Sequence, residues 1–144
     1  MKITKKHIIA NAHSTRDEQL AEGWARSYNL RLVIGEYTLS IGVGEGLYCT
    51  PREVLEDVSA YTAVECAILK PNGGLMDINE VTENFGDEVA SLCEGYGFTD
   101  FHLSSTVLPY IIWEEVEMVA NRIRTTVDAS QAYSDWNEEM CEPF

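Results

Sequence analysis

The chain has 144 residues, enough for one hydrophobic core, and its 45% hydrophobic content is typical of a folded protein despite a net charge of −14. It contains no apolar run of the roughly 18 to 20 residues that cross a bilayer, and its first residues turn charged too early for a signal peptide. We therefore expect a cytoplasmic protein whose four cysteines are reduced.

The first part of the chain predicts helices followed by an antiparallel hairpin. A turn of helix is expected over 7–12, and a capped amphipathic helix over 15–28. Apolar and polar residues then alternate over 30–34 and 37–41, which predicts two strands joined by a two-residue turn at 35–36.

The glycine-rich stretch SIGVGEGLYCTPRE, residues 40–53, leads from the second strand into a predicted helix over 51–60, with Thr50 as its N-cap. A dinucleotide-binding fingerprint would need glycine where Leu47 stands, and a phosphate-binding loop would need a lysine that the stretch lacks. We interpret the glycines as sites of a bulge or a positive-φ turn at the end of the strand.

Cys49 is the best nucleophile candidate, because a predicted helix N-terminus and the neighbouring Arg52 both favour a thiolate. A cysteine enzyme also needs a base, which His102 would supply if the fold brought the two side chains together. A small cysteine-dependent enzyme built on these three residues is therefore an alternative function. The dispersed cysteines and histidines have no chelating spacing, so we expect neither a metal nor a cofactor.

The second part of the chain predicts further strands and two helices, the first weakened or split at Gly86. The predicted elements are a strand over 63–69, a turn over 71–74, a returning strand over 75–78, a helix over 79–94, a short strand over 99–103 and a helix over 109–126. In the last helix, Ile112, Val116, Val119 and Ile123 are expected to face the core. The expected fold is α+β, a mainly antiparallel sheet of three to five strands with helices packed on it. Residues 1–126 form the domain, and 127–144 are expected to be an acidic, mobile C-terminal tail.

Negative charge is concentrated in the second part of the chain. Residues 1–70 hold nine acidic and eight basic side chains, a net of −1, whereas residues 71–144 hold fifteen acidic side chains and two arginines, a net of −13, which together give −14. The stretch 71–121 has no lysine or arginine at all. These carboxylates cannot be neutralised locally in sequence.

Helical spacing places carboxylates about 5 to 6 Å apart, which suits recognition of a cationic surface. The predicted partner-binding residues are Asp77, Glu80, Glu83, Asp87, Glu88, Glu94, Glu114, Glu117, Trp136, Glu138 and Glu139. The aromatic residues expected to anchor a partner are Tyr96, Phe98, Tyr133 and Trp136.

In size, acidity and lack of a catalytic motif, the chain resembles the small proteins by which phages and mobile elements inhibit host defence nucleases, CRISPR effectors and restriction enzymes. The resemblance is one of composition and carries no motif over to these positions. It implies a non-enzymatic inhibitor in the host cytoplasm that mimics nucleic acid and binds the basic surface of a nucleic-acid-binding protein, with no affinity for nucleic acid or membranes. An accessory domain whose acidity serves only solubility remains open beside the cysteine enzyme.

Overall fold

The computed structural model describes residues 2–21, 23, 25–97 and 106–140, the last seven as backbone only. The elements are α1 (Lys5–Asn11), β1 (His13–Ser14), α2 (Arg16–Leu20), β2 (Ser27–Ile34), β3 (Tyr37–Gly44), β4 (Ala63–Leu69), α3 (Ile78–Phe85), α4 (Asp87–Ala90), β5 (Leu108–Ile112) and α5 (Trp113–Met140). The strands form one antiparallel sheet in the order β1-β2-β3-β4-β5, which confirms the α+β prediction.

The β2–β3 hairpin is confirmed and is longer than predicted. Its pairing runs from Ile34 opposite Tyr37 to Ser27 opposite Gly44. Gly35 in the turn has a φ of 62°, which glycine adopts readily. Because the pairing continues to residue 27, the predicted helix over 15–28 is wrong beyond Leu20, where α2 ends.

The predicted helix over 51–60 is also wrong, since only Val58–Ala60 forms a short 3₁₀ turn. Two buried tyrosines hold the backbone at residues 53–55 out of helical geometry. The Tyr61 hydroxyl accepts a bond from Leu55 N at 2.7 Å and donates to the Glu53 carbonyl at 2.6 Å. The Tyr28 hydroxyl donates to the Leu55 carbonyl at 3.1 Å. Tertiary contacts therefore override the local capping signal.

The segment around β4 follows the prediction except at its return. β4 has the predicted bounds, but Leu75 makes only an isolated bridge to Leu69, and α3 begins at Ile78 where the strand was expected to continue. Gly86, with a φ of 89°, separates α3 from α4, as its position in the predicted helix indicated.

The last helix begins later and ends later than predicted. Pro109 lies in β5, and Ile112, expected in the core, is the exposed last residue of that strand. α5 runs from Trp113 to Met140, through most of the segment predicted to be a mobile tail. The predicted strand over 99–103 lies outside the described residues.

The core lies between one face of the sheet and the helices. Alternate residues of β2 and β3, such as Leu30 and Ile41, point into it. α5 contributes Val116, Val119 and Ile123, all completely buried as predicted for these three positions. No helix in the described part of the chain is long and apolar enough to span a membrane.

Candidate partner-binding surface

The first two predicted acidic residues stabilise a helix start. The Asp77 carboxylate accepts a bond from Glu80 N at 2.8 Å, and the Glu80 carboxylate accepts one from Asp77 N at 3.2 Å, which together form a capping box at the start of α3. Glu80 also pairs with Lys70 at 3.3 Å. Both carboxylates are half-buried and serve the fold, so they are weaker candidates for partner contact than the sequence indicates.

Arg122 of α5 joins the helices that carry the acidic residues. Its guanidinium donates to the Phe85 carbonyl at 3.0 Å and to the Glu88 carboxylate at 3.1 Å. A Cβ on Gly86 would lie 3.3 Å from Nη1 of the same arginine. The structure thus brings α3, α4 and α5 into one helical layer, and one predicted acidic residue is neutralised in doing so.

The two predicted contact residues at the start of α5 also differ in role, because one carboxylate forms a hydrogen bond within the fold and the other is exposed. Glu117 accepts a bond from the backbone N–H of Lys5 at 2.7 Å and ties α5 to α1. Glu114 is exposed at a groove that also contains Lys2, Glu117 and Arg122. Positive side chains therefore lie beside the exposed Glu114 carboxylate.

Three predicted carboxylates are exposed and make no hydrogen bond or ion pair with other described residues: Glu83, Asp87 and Glu114. We call them the anionic surface. They lie on α3, α4 and α5, the elements that Arg122 and the Thr126–Asn84 bond hold together. Among the described side chains, these three are the predicted acidic contact residues that remain exposed and unpaired, and their contact with a partner stays a prediction.

The remaining predicted contact residues are only partly described. Glu94 is half-buried, and its backbone N–H donates to the Val107 carbonyl at 2.8 Å. Tyr96 and Tyr133 are exposed. Outside the described residues or side chains are Phe98, Trp136, Glu138 and Glu139.

Cys49 does not have the surroundings of a nucleophile. Its side chain is completely buried, and its sulfur lies 3.3 Å from Gly44 N, from the Gly44 carbonyl and from the Pro51 carbonyl. Burial raises the pKa of the Cys49 thiol, and this outweighs the opposing effects of the Gly44 N–H and Arg52. The helix N-terminus that was expected to favour a thiolate does not form, so the structure gives a Cys49 thiolate no support. His102 lies outside the described residues.

Arg52 instead belongs to an aromatic cluster that sequence reasoning missed. Its guanidinium lies 5.9 Å from the ring centre of Tyr48, and that ring lies 5.7 Å from the ring of Tyr110. Tyr48 N donates to the Glu65 carboxylate at 2.8 Å. The Tyr110 N–H donates to the Tyr48 carbonyl at 3.0 Å, a contact between residues far apart in the chain, so no local sequence signal could have found the cluster.

The glycines of the 40–53 stretch serve the backbone. Gly44 has a φ of 129°, and a Cβ there would lie 2.4 Å from the Arg26 carbonyl. A Cβ on Gly42 would lie 3.0 Å from both the Asn29 and Leu47 side chains. The close approach of β2 and of the following loop therefore requires glycine at these two positions. Within the described residues, no three His, Cys, Asp or Glu side chains are grouped so that they could hold a metal ion.

Comparisons with known proteins do not assign this chain to a family. No family model matches the sequence, and neither the curated proteins nor the solved structures include a match. The chemistry of the chain's own residues is therefore the basis for assigning its function.

Proposed function

We propose that this chain is a non-enzymatic binding protein that engages a basic surface of a nucleic-acid-processing protein and inhibits it by occupying the place of nucleic acid. A host defence nuclease or a CRISPR effector is the expected partner, as for the phage inhibitors that the chain resembles in composition. The anionic surface supplies the contact, and exposed aromatic residues such as Tyr96 supply apolar anchors.

One observation carries the proposal: the acidic part of the chain is not neutralised by its own cations. Residues 71–144 contain fifteen carboxylate side chains and only two arginines. Both arginines are already engaged, Arg122 with Glu88 at 3.1 Å and Arg124 with Asp128 at 3.8 Å. Like charges crowded on one layer repel each other, and a cationic partner would relieve that repulsion.

The buried state of Cys49 gives the alternative enzyme no support. A cysteine nucleophile needs a thiolate that substrate can reach, and this sulfur is enclosed by backbone groups of its own loop. The binding function therefore has the stronger physical basis.

The test is capture of partners from a lysate, followed by elution with rising salt and by competition with DNA or RNA. We expect the captured proteins to be nucleic-acid-binding proteins that either treatment releases. A purified partner should lose its nucleic-acid-dependent activity when the protein is added.

The matched variants are E83Q/D87N/E114Q, which neutralises the anionic surface, and E36Q/E53Q/E56Q, which removes the same charge from exposed positions in the first part of the chain. We expect only the first to lose capture. Equal loss of capture in both variants would mean that only the net charge of the chain matters. Full capture by both variants would mean that the acidic residues serve solubility and not partner binding.

A further inference from the structure

The face of the sheet opposite the core carries an exposed apolar row. Val33, Thr38, Leu69 and Leu75 lie side by side across four segments of chain, because each pairs with the next. Val33 at one end is 70% exposed and Leu75 at the other is 36% exposed. The helices that contribute buried side chains pack on the other face, so we call this one the open sheet face.

Further exposed apolar groups lie at the opposite end of the same face. Tyr48 and Tyr110 are 38% and 48% exposed, and Ile112 is 45% exposed. Of the seven large hydrophobic side chains that are exposed among the described residues, five therefore lie on the open sheet face. Apolar groups grouped in this way on a soluble protein indicate an interaction surface.

The charge of this face indicates what covers it. Among the side chains that β2, β3 and β4 direct to the open sheet face, the ionisable ones are Arg31 and Glu65. Arg52 of the aromatic cluster adds one positive charge, so this face has no excess of negative charge. The whole chain has a charge of −14, and Glu83, Asp87 and Glu114, which are exposed and unpaired, lie on the helical layer behind the sheet. Two copies of the chain thus repel each other least when their open sheet faces meet.

We propose that the open sheet face is the interface of a symmetric dimer of this chain. Two sheets that pack face to face through alternate side chains form a stable arrangement, and a twofold axis places the same face of each copy against the other. The apolar row and the aromatic cluster become buried, while the anionic surfaces of the two copies point away from each other.

The available area predicts a weak dimer. Strands β2 to β5, about 4.8 Å apart and 5 to 8 residues long, at about 3.3 Å per residue, give a footprint of about 440 Å² per copy. The total of about 900 Å² lies slightly below the roughly 1,000 Å² of a specific, stable interface, in the range of weak contacts. Dimerisation should therefore depend on protein concentration.

Sedimentation equilibrium of the full chain over a wide concentration range tests the proposal. We expect the average mass to rise from 16.2 kDa toward about twice that value. Rising salt should strengthen the dimer, because it screens the repulsion between two acidic copies. A chain that stays monomeric to about 1 mM would overturn the proposal. A dimer that salt dissociates would also overturn it, because that result would indicate contact between an acidic and a basic face.

Val33→Lys is the decisive variant, with Tyr96→Lys as its matched control. Each change places a lysine at an exposed apolar site, but only residue 33 lies on the open sheet face. Both changes reduce the net charge of the chain and hence the overall repulsion. We expect Val33→Lys to weaken dimerisation by about tenfold or more, because it buries a charge, and Tyr96→Lys to leave it unchanged or stronger.

Leu75→Lys provides an independent check at the other end of the row and should weaken the dimer in the same direction. Far-UV circular dichroism of each variant verifies the fold, which exposed positions should tolerate. Undiminished dimerisation in both Val33→Lys and Leu75→Lys would place the interface elsewhere.

Discussion

At the scale of single residues, burial sets the properties of the thiols. Burial raises the pKa of Cys93 from its ordinary value near 9 to about 11, and it also raises the pKa of Cys66. Both side chains contact the core, where no solvent can stabilise a thiolate. These cysteines therefore act as small apolar groups, and their ionisation is coupled to folding.

The free energy of unfolding should decrease as the pH rises from 9 to 10. In this range the thiols of the unfolded chain lose their protons, whereas the folded chain retains the proton of Cys93. We expect a decrease of about 1 kcal/mol from this residue, measured by guanidinium unfolding in the presence of a reductant. Cys93→Ala should show a smaller decrease than the wild-type chain, and equal decreases would contradict the assignment.

Arg122 should contribute more to stability than Arg124, the other arginine in residues 71–144. Removing its side chain leaves the Phe85 carbonyl and the Glu88 carboxylate without this donor. We expect Arg122→Ala to lower the free energy of unfolding by about 1 to 2 kcal/mol. Arg124→Ala removes only an exposed pair at 3.8 Å and should cost less than about 0.5 kcal/mol, so similar losses would contradict a joining role for Arg122.

At the scale of elements, the sequence predicts structure well where local patterns and tertiary contacts agree. The alternation in β2, β3 and β4 and the break at Gly86 are examples. Prediction fails where distant groups decide the backbone. The hydroxyls of Tyr28 and Tyr61 hold the backbone near Leu55 out of a helix, although Thr50 and Pro51 form a typical helix start.

The acidic region was only partly predictable for the same reason. Its acidic residues can be identified from the sequence alone, but their roles cannot. Glu80 caps α3 and pairs with Lys70, whereas Glu83 is exposed, and this difference depends on where α3 begins. Likewise, the contact of Tyr48 with Tyr110, which includes a hydrogen bond from the Tyr110 N–H to the Tyr48 carbonyl, joins residues that lie far apart in the chain.

The continuation of α5 beyond residue 126 is open to a direct test. Val127 is half-buried, and a Cβ on Gly35 would lie 2.5 Å from it, so the helix still contacts the β2–β3 turn at this point. Ala129 is exposed, and Pro in its place should break the helix there at a local cost of about 3 kcal/mol. We expect Ala129→Pro to lose far-UV helical signal and Ala129→Gly to lose less. An unchanged signal in the proline variant would show that the segment is not helical in solution.

At the scale of the whole molecule, the two sides of the sheet differ in charge. The helical layer carries the anionic surface, whereas the open sheet face, with Arg31, Arg52 and Glu65, has no excess of negative charge. Core packing fixes this separation, since α5 and the sheet must share one apolar interior. The proposed binding to a cationic partner and the proposed dimerisation would therefore use different surfaces of the chain.

Crowded carboxylates on one layer should lower stability in a way that salt reverses. At about 10 mM ionic strength the Debye length is about 30 Å, so Glu83, Asp87 and Glu114 act on each other and on the rest of the acidic layer. Asp87 and Glu114 also lie in the first turns of α4 and α5, where the helix dipole favours a negative charge and offsets part of this repulsion. We therefore expect E83Q/D87N/E114Q to raise the free energy of unfolding there by less than about 1 kcal/mol and to lose most of that gain at about 0.5 M salt.

The control E36Q/E53Q/E56Q removes the same charge from the first part of the chain, where basic side chains nearly balance the acidic ones. Relief of repulsion should be smaller there, because the removed charges also attract nearby cations. Equal gains for the two variants, in urea unfolding at low salt, would mean that the negative charge is spread evenly. A surface directed at a cationic partner would then have no physical basis, because such a surface requires a local excess of negative charge that folding alone does not neutralise.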